Sequence, residues 1–102
     1  MEDNQPLKLI VEEKLVLQLY ISGMSQRSAI AIQNIKKLCD EYLADAFELE
    51  IVDLYKSPEM ASEQQIVFSP SLVKQLPLPK KTLVGTFADT EKVIKGLGIT
   101  FK

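Results

Sequence analysis

Apolar and polar positions alternate through residues 15–21, Leu-Val-Leu-Gln-Leu-Tyr-Ile, so Leu15, Leu17, Leu19 and Ile21 share one face. Period two is the spacing of a strand. The other face, Val16, Gln18 and Tyr20, is mixed rather than plainly wet, and β-branched and aromatic residues favour a pleated, half-buried surface. Ser22-Gly23 ends it, and the period then lengthens. Over residues 26–43 Ile32, Ile35, Leu38, Cys39, Tyr42 and Leu43 form one apolar stripe, with Gln33, Lys36, Lys37, Asp40 and Glu41 on the wet side, as in an amphipathic helix. Ser25 is placed to cap it, and Lys36 and Lys37 stand four residues before Asp40 and Glu41, the spacing of weak surface ion pairs. Phe47, Leu49 and Ile51 alternate with Glu48 and Glu50, predicting a second strand over 46–54 with Asp53 near its end. Strand, helix and strand joined by short loops make a βαβ unit, with parallel strands and a right-handed crossover.

Beyond this unit the pattern supports two arrangements. Ser57-Pro58-Glu59 is a helix start, with Ser57 as cap and a short helix to about residue 65. In one arrangement Val67-Phe68 leads to Ser69-Pro70 and residues 71–76 form a strand. Pro77-Leu78-Pro79 turns the chain and residues 80–84 return antiparallel. Asp89 then caps a final helix over 90–97 with Val93, Ile94 and Leu97 inward. In the other, Ser69 caps a helix over 70–76 and the chain ends in a strand, since Leu97, Ile99 and Phe101 also alternate. Periodicity does not choose between them. Gly96 and Gly98 bear on the choice: each costs a helix interior about 1 kcal/mol relative to Ala. That cost predicts a resting state that ends in the strand, and Gly→Ala changes that favour the helix.

The 102 residues suit one modest core, with 46% apolar and 25% charged residues. Residues 15–102 are read as a single domain, and residues 1–14 as a tail or strand extension in which Leu7, Leu9 and Val11 alternate. The net charge of −2 carries no basic excess, which argues against nucleic acid as the partner. No apolar run is long enough to span a membrane, and the acidic, polar beginning does not read as a secretory signal. With one Cys and no His, a disulfide within the chain is excluded, a zinc site lacks its favoured ligands, and no cofactor is expected. The protein is expected in the cytoplasm.

Leu17-Gln18-Leu19-Tyr20-Ile21-Ser22-Gly23, Ile51-Val52-Asp53-Leu54, Ser69-Pro70-Ser71-Leu72 and Leu76-Pro77-Leu78-Pro79 resemble the KaiB family. So do Val84-Gly85 and the run Asp89-Thr90-Glu91-Lys92-Val93-Ile94-Lys95-Gly96-Leu97. The likeness covers residues 15–99. It implies an α/β protein of the thioredoxin-like superfamily that acts by binding rather than catalysis, with a KaiC-like ATPase as partner. It also implies two folds that correspond to the two arrangements above. One is thioredoxin-like, monomeric and competent to bind KaiC. The other is a resting form that associates, so that a tetramer or dimer is expected.

The resemblance points to Phe47, Glu50, Asp53, Lys80 and Lys81 for partner binding, and to Ser69, Pro70, Gly96 and Gly98 for the fold switch. Three departures stand out. Family members often carry Lys where this chain has Glu50. Of their basic pair after Leu-Pro-Leu-Pro, one charge remains in Lys81-Thr82. Their Gly-Leu-Asp is Gly96-Leu97-Gly98 here. The departures leave room for a role outside a clock, as in stress adaptation. Lys80 and Lys81 also fit ordinary solvated charges, and Glu48 with Glu50 an exposed acidic face. Residues 23–28 occupy the place of the thioredoxin Cys-x-x-Cys but hold no thiol, so disulfide exchange has no nucleophile there. Ser25 and Ser28 lack a histidine base and read as capping groups. Cys39 reads as a small buried hydrophobe, and Tyr20 and Tyr42 as core residues with their hydroxyls at the edge.

Overall fold

The strand β1, Leu15–Ile21, is the second of four in a sheet ordered β2-β1-β3-β4. The structure is a computed structural model and describes residues 14–44, 46–66 and 69–99. The alternating face of β1 is buried as its pattern requires: Leu15, Leu17, Leu19 and Ile21 are all core. Helix α1, Gln26–Leu38, starts at Ser25, whose Oγ accepts from Ser28 N at 3.1 Å. The helical stretch ends at Leu43 as the stripe predicts, but Cys39–Leu43 is a π-turn. The wider i→i+5 pairing rotates the last residues, so Tyr42 is 45% exposed rather than core. No ion pair joins Lys36 or Lys37 to Asp40 or Glu41 among the described residues.

Strand β2, Phe47–Asp53, runs parallel to β1 in the register Leu17↔Leu49 and Tyr20↔Val52. The short helix α2, Glu59–Glu63, is preceded at its cap position by Pro58, one residue after the expected Ser57, and no side chain caps it. The second half takes the first of the two arrangements. Strand β3, Ser71–Leu76, pairs antiparallel with β1, and β4, Lys81–Val84, antiparallel with β3. The peptide bonds before Pro70, Pro77 and Pro79 are cis. Helix α3, Thr90–Leu97, is capped by Asp89, whose Oδ1 accepts from Lys92 N at 3.2 Å. Residues 97–99 are therefore not strand. Phe101, the tail at 1–13 and Val67-Phe68 lie outside the described residues.

Helices α1 and α3 cover one face of the sheet. Ala31, Ile35, Leu38, Cys39, Leu43, Val93 and Leu97 interlock there with the β1 leucines and Leu72. Each buried Leu, Ile or Val among them stabilises the fold by roughly 1.5–3 kcal/mol. Phe87 joins this core at φ 64°, a strained conformation for a bulky residue that its buried ring offsets. On the other face Tyr20, Val52 and Val73 make a smaller cluster with Leu54, Met60 and Ile66 around α2.

The two glycines of α3 differ. Gly96 is inside the helix and presses on β4: a Cβ there would stand 2.6 Å from Leu83 Cδ2. Gly98 is past the end, in the left-handed conformation at φ 73°. Gly98 N donates to Lys95 O and Ile99 N to Ile94 O, closing the helix as a Schellman cap. The premise that Gly98 weakens a helix interior therefore does not hold, because a C-terminal glycine in this conformation favours the helix end.

Candidate partner surface

The predicted partner residues lie on the two outer strands of the sheet. Phe47, Glu50 and Asp53 belong to β2, Lys81 opens β4, and Lys80 just precedes it. Phe47 and Asp53 point to the α1/α3 side in register with Leu15 and Ile21, while Glu48 and Glu50 point to the other. Phe47 packs partly against the larger core, so only part of its ring is available to a partner. Lys81 sits opposite Lys74 on the α1/α3 side. The five do not form one patch.

Glu50 and Lys80 are nevertheless connected across the α2 side of the sheet. Gln18 Nε2 donates to Glu50 Oε1 at 3.0 Å. Gln18 Oε1 accepts from Tyr20 OH at 2.6 Å and from Gln75 Nε2 at 2.8 Å. Gln75 Nε2 also donates to Gln64 Oε1 at 2.9 Å, and Lys80 Nζ donates to the same oxygen at 3.2 Å. Gln75 shares this face with Val73 by alternation, and the register shift between Val16 and Leu17 leaves it without a directly opposite residue on β1. Burial, then the nearby Glu50 charge, raises the Tyr20 hydroxyl above its ordinary pKa of 10.0, so it remains a donor at neutral pH. Sequence reasoning did not single out Gln64 and Gln75. Gln18, a polar residue within an apolar strand, was the visible signal.

Asp53 has a local task. Its Oδ1 accepts from Gly23 N at 3.0 Å and Tyr55 N at 2.9 Å, tying the loop after β1 to the loop after β2. The Tyr55 ring lies over Gly23, where a Cβ would come within 2.7 Å of it. Beside this tie a cleft of about 470 Å³ is lined by Ser22, Ser25, Arg27, Ser28, Ser69 and Pro70, among others. Ser22 Oγ and Ser69 Oγ share a hydrogen bond of 2.9 Å. Ser25 Oγ donates to Ser28 Oγ at 3.1 Å, so both hydroxyls are held in the cap. Among the described residues, those that line this cleft offer no thiol, imidazole or carboxylate to activate a nucleophile. Cys39 is buried away from it, its thiol pushed up to about 11 by burial and by Asp40. Among the described residues no helix is long and apolar enough to cross a membrane.

A four-stranded mixed sheet with α1 and α3 on one face, α2 on the other and a cis-proline before β3 is a thioredoxin-like fold. Solved structures share it. The N-terminal domain of Synechococcus elongatus SasA superposes with a TM-score of 0.69 at 22% identity, covering 93% of this chain and 86% of that one. Mitochondrial thioredoxin 3 of Saccharomyces cerevisiae gives 0.65 at 18% identity, covering 90% and 84%. The KaiB domain model matches residues 18–99. The circadian clock protein KaiB3 of Synechocystis sp. is 45% identical over 86 residues, 84% of each chain. The circadian clock oscillator protein KaiB of Microcystis aeruginosa is 31% identical over 93 residues, 91% of this chain and 89% of that one. The chain belongs to the KaiB family of circadian clock proteins.

Proposed function

We propose that this protein is a non-enzymatic regulatory binding protein that docks on a KaiC-like ATPase and modulates its activity, in a clock or in a related role outside one. One observation carries the reading. The family match runs through residues 18–99, and the second half lies in the thioredoxin-like arrangement that the family resemblance ties to KaiC binding. Phe47, Glu50 and Asp53 on one outer strand, with Lys80 and Lys81 at the other, are the residues offered to the partner. On this reading residues 15–102 act as one cytoplasmic KaiB-like domain. It rests as a tetramer or dimer in the second arrangement, and Ser69, Pro70, Gly96 and Gly98 lie where the two arrangements part.

Co-purification with a KaiC-like ATPase from the same organism, with ATP and with ADP, tests this. A complex is expected that alters the ATPase rate and weakens when Lys80 and Lys81 are both changed to Glu. Glu50 favours a second reading, a stand-alone oligomeric stress-adaptation protein, because an acid there reverses the charge that many relatives offer KaiC. Absence of a complex under both nucleotides, with an oligomer in light scattering, would sink the first reading and favour the second. Turnover in a disulfide-reduction assay would sink both in favour of a thiol protein.

A further inference from the structure

Lys74 is 3% exposed. It lies directly opposite Lys81 on β4 and faces the α1/α3 side beside Leu17. Among the described residues no carboxylate or other acceptor is paired with its Nζ. Two cations facing each other across one strand pair repel, and a buried charge without a partner is expensive. The carbonyl end of α3 offsets part of one ammonium charge but leaves the pair uncompensated.

Among the described residues nothing fills the place a counter-charge would occupy. Gly98 is exposed and has no side chain. A Cβ on it would stand 3.8 Å from Lys74 Nζ and 4.0 Å from Lys81 Cε. A group approaching from solvent over Gly98 therefore meets the buried ammonium from above and Lys81 from the side. Burial, then the charge of Lys81, lowers the Lys74 pKa, the response of a cation that lacks its anion.

We propose that Lys74, Lys81 and the bare backbone of Gly98 form a binding site for a single small oxyanion, a carboxylate or a phosphate. The site stands apart from the Glu50–Lys80 relay, which lies on the other face of the sheet, and it does not depend on the KaiC reading. An ammonium buried beneath the surface and a second one at the rim give the oxyanion two charge-assisted hydrogen bonds. The absent side chain leaves room for its oxygens.

NMR titration of the whole protein with inorganic phosphate, and separately with N-acetyl-aspartate N-methylamide as a stand-in for a protein side chain, tests the site. Saturable shifts are expected at the Lys74 side chain and the Gly98 amide with at least one probe. They should weaken by about tenfold or more in Lys74→Met and vanish in Gly98→Asp, which supplies the carboxylate from within. The probe that binds distinguishes a free anion from a partner's acidic side chain. Gly98→Asn adopts the left-handed backbone at least as readily as Gly98→Asp and lacks its charge, so it is the reference for the Asp variant. The Asp variant should melt higher than the Asn variant. No saturable shift with either probe, an undiminished titration in Lys74→Met, or equal melting of the Asp and Asn variants would overturn the proposal.

Discussion

Gly96 lies so close over Leu83 that a Cβ would stand 2.6 Å from Leu83 Cδ2. The obstructing atoms are the tip of the Leu83 side chain, which must move to admit a Cβ, and that movement opposes the intrinsic gain of about 1 kcal/mol from putting Ala in a helix. Gly96→Ala alone is therefore expected to be neutral or destabilising in this arrangement. Paired with Leu83→Ala, which removes the obstructing methyls, the same change should turn favourable by about 1 kcal/mol. Urea unfolding of the four members of the cycle reads this directly. An equal effect of Gly96→Ala in both backgrounds would mean the contact is not what limits it.

Gly98→Ala should weaken the helix-ending arrangement, the reverse of what composition alone suggests. At φ 73° a Cβ costs about 1–2 kcal/mol. Thermal unfolding and the NMR signature of α3 report it. A stabilised α3 in this variant would refute the prediction.

Asp53 holds two backbone N–H groups with one oxygen. Asp53→Ala should cost about 1–3 kcal/mol and speed hydrogen exchange at Gly23 and Tyr55. Asp53→Asn keeps an acceptor oxygen and should retain most of the stability. Unchanged exchange at both amides in Asp53→Ala would show that the loops are held by other means.

Gln18→Leu should cost about 1 kcal/mol or slightly more, because the hydroxyl of Tyr20 loses its acceptor and Gln75 one of its two. The loss should shrink when Tyr20→Phe is added. Additive losses in the double variant would mean that the two residues do not act through this bond.

Cys39 sets a pH dependence whose sign follows from burial. Its thiol is raised from the ordinary 9.0 to about 11, so the folded chain keeps a proton that the unfolded chain releases between those values. Stability from the protonated thiol is fully present below pH 9 and falls as pH rises towards 11, by up to about 3 kcal/mol at 1.36 kcal/mol per unit. Tyr20 acts in the same direction at higher pH, and Lys74, whose pKa is lowered, acts in the opposite one. The difference between wild type and Cys39→Ala isolates the thiol. It should narrow across this range, and a constant difference would contradict the assignment.

Period-two and helical spacing in residues 15–54 were sufficient by themselves for the βαβ unit. There the local pattern and the burial demand agree, and Leu15, Leu17, Leu19, Ile35 and Leu38 all lie where their spacing puts them. The caps Ser25 and Asp89 were legible for the same reason, since a capping bond spans only three residues. Tyr42 was not, because a π-turn shifts the helical phase by an amount that no residue type announces.

Only the tertiary structure chose between the two arrangements of the second half. Residues 71–76 and 90–99 satisfy either period, and the choice lies in contacts with β1 and α1, far along the chain. The same holds for the relay from Glu50 to Lys80, which depends on the pairing of β1 with both β2 and β3 that sets Gln18 between Glu50 and Gln75. It holds too for the opposed pair Lys74 and Lys81, which only the β3–β4 register brings face to face beneath Gly98. Sequence spacing encodes which face a side chain takes on its own element. Which element lies opposite is decided by long-range packing, and the surfaces described here are made by that pairing.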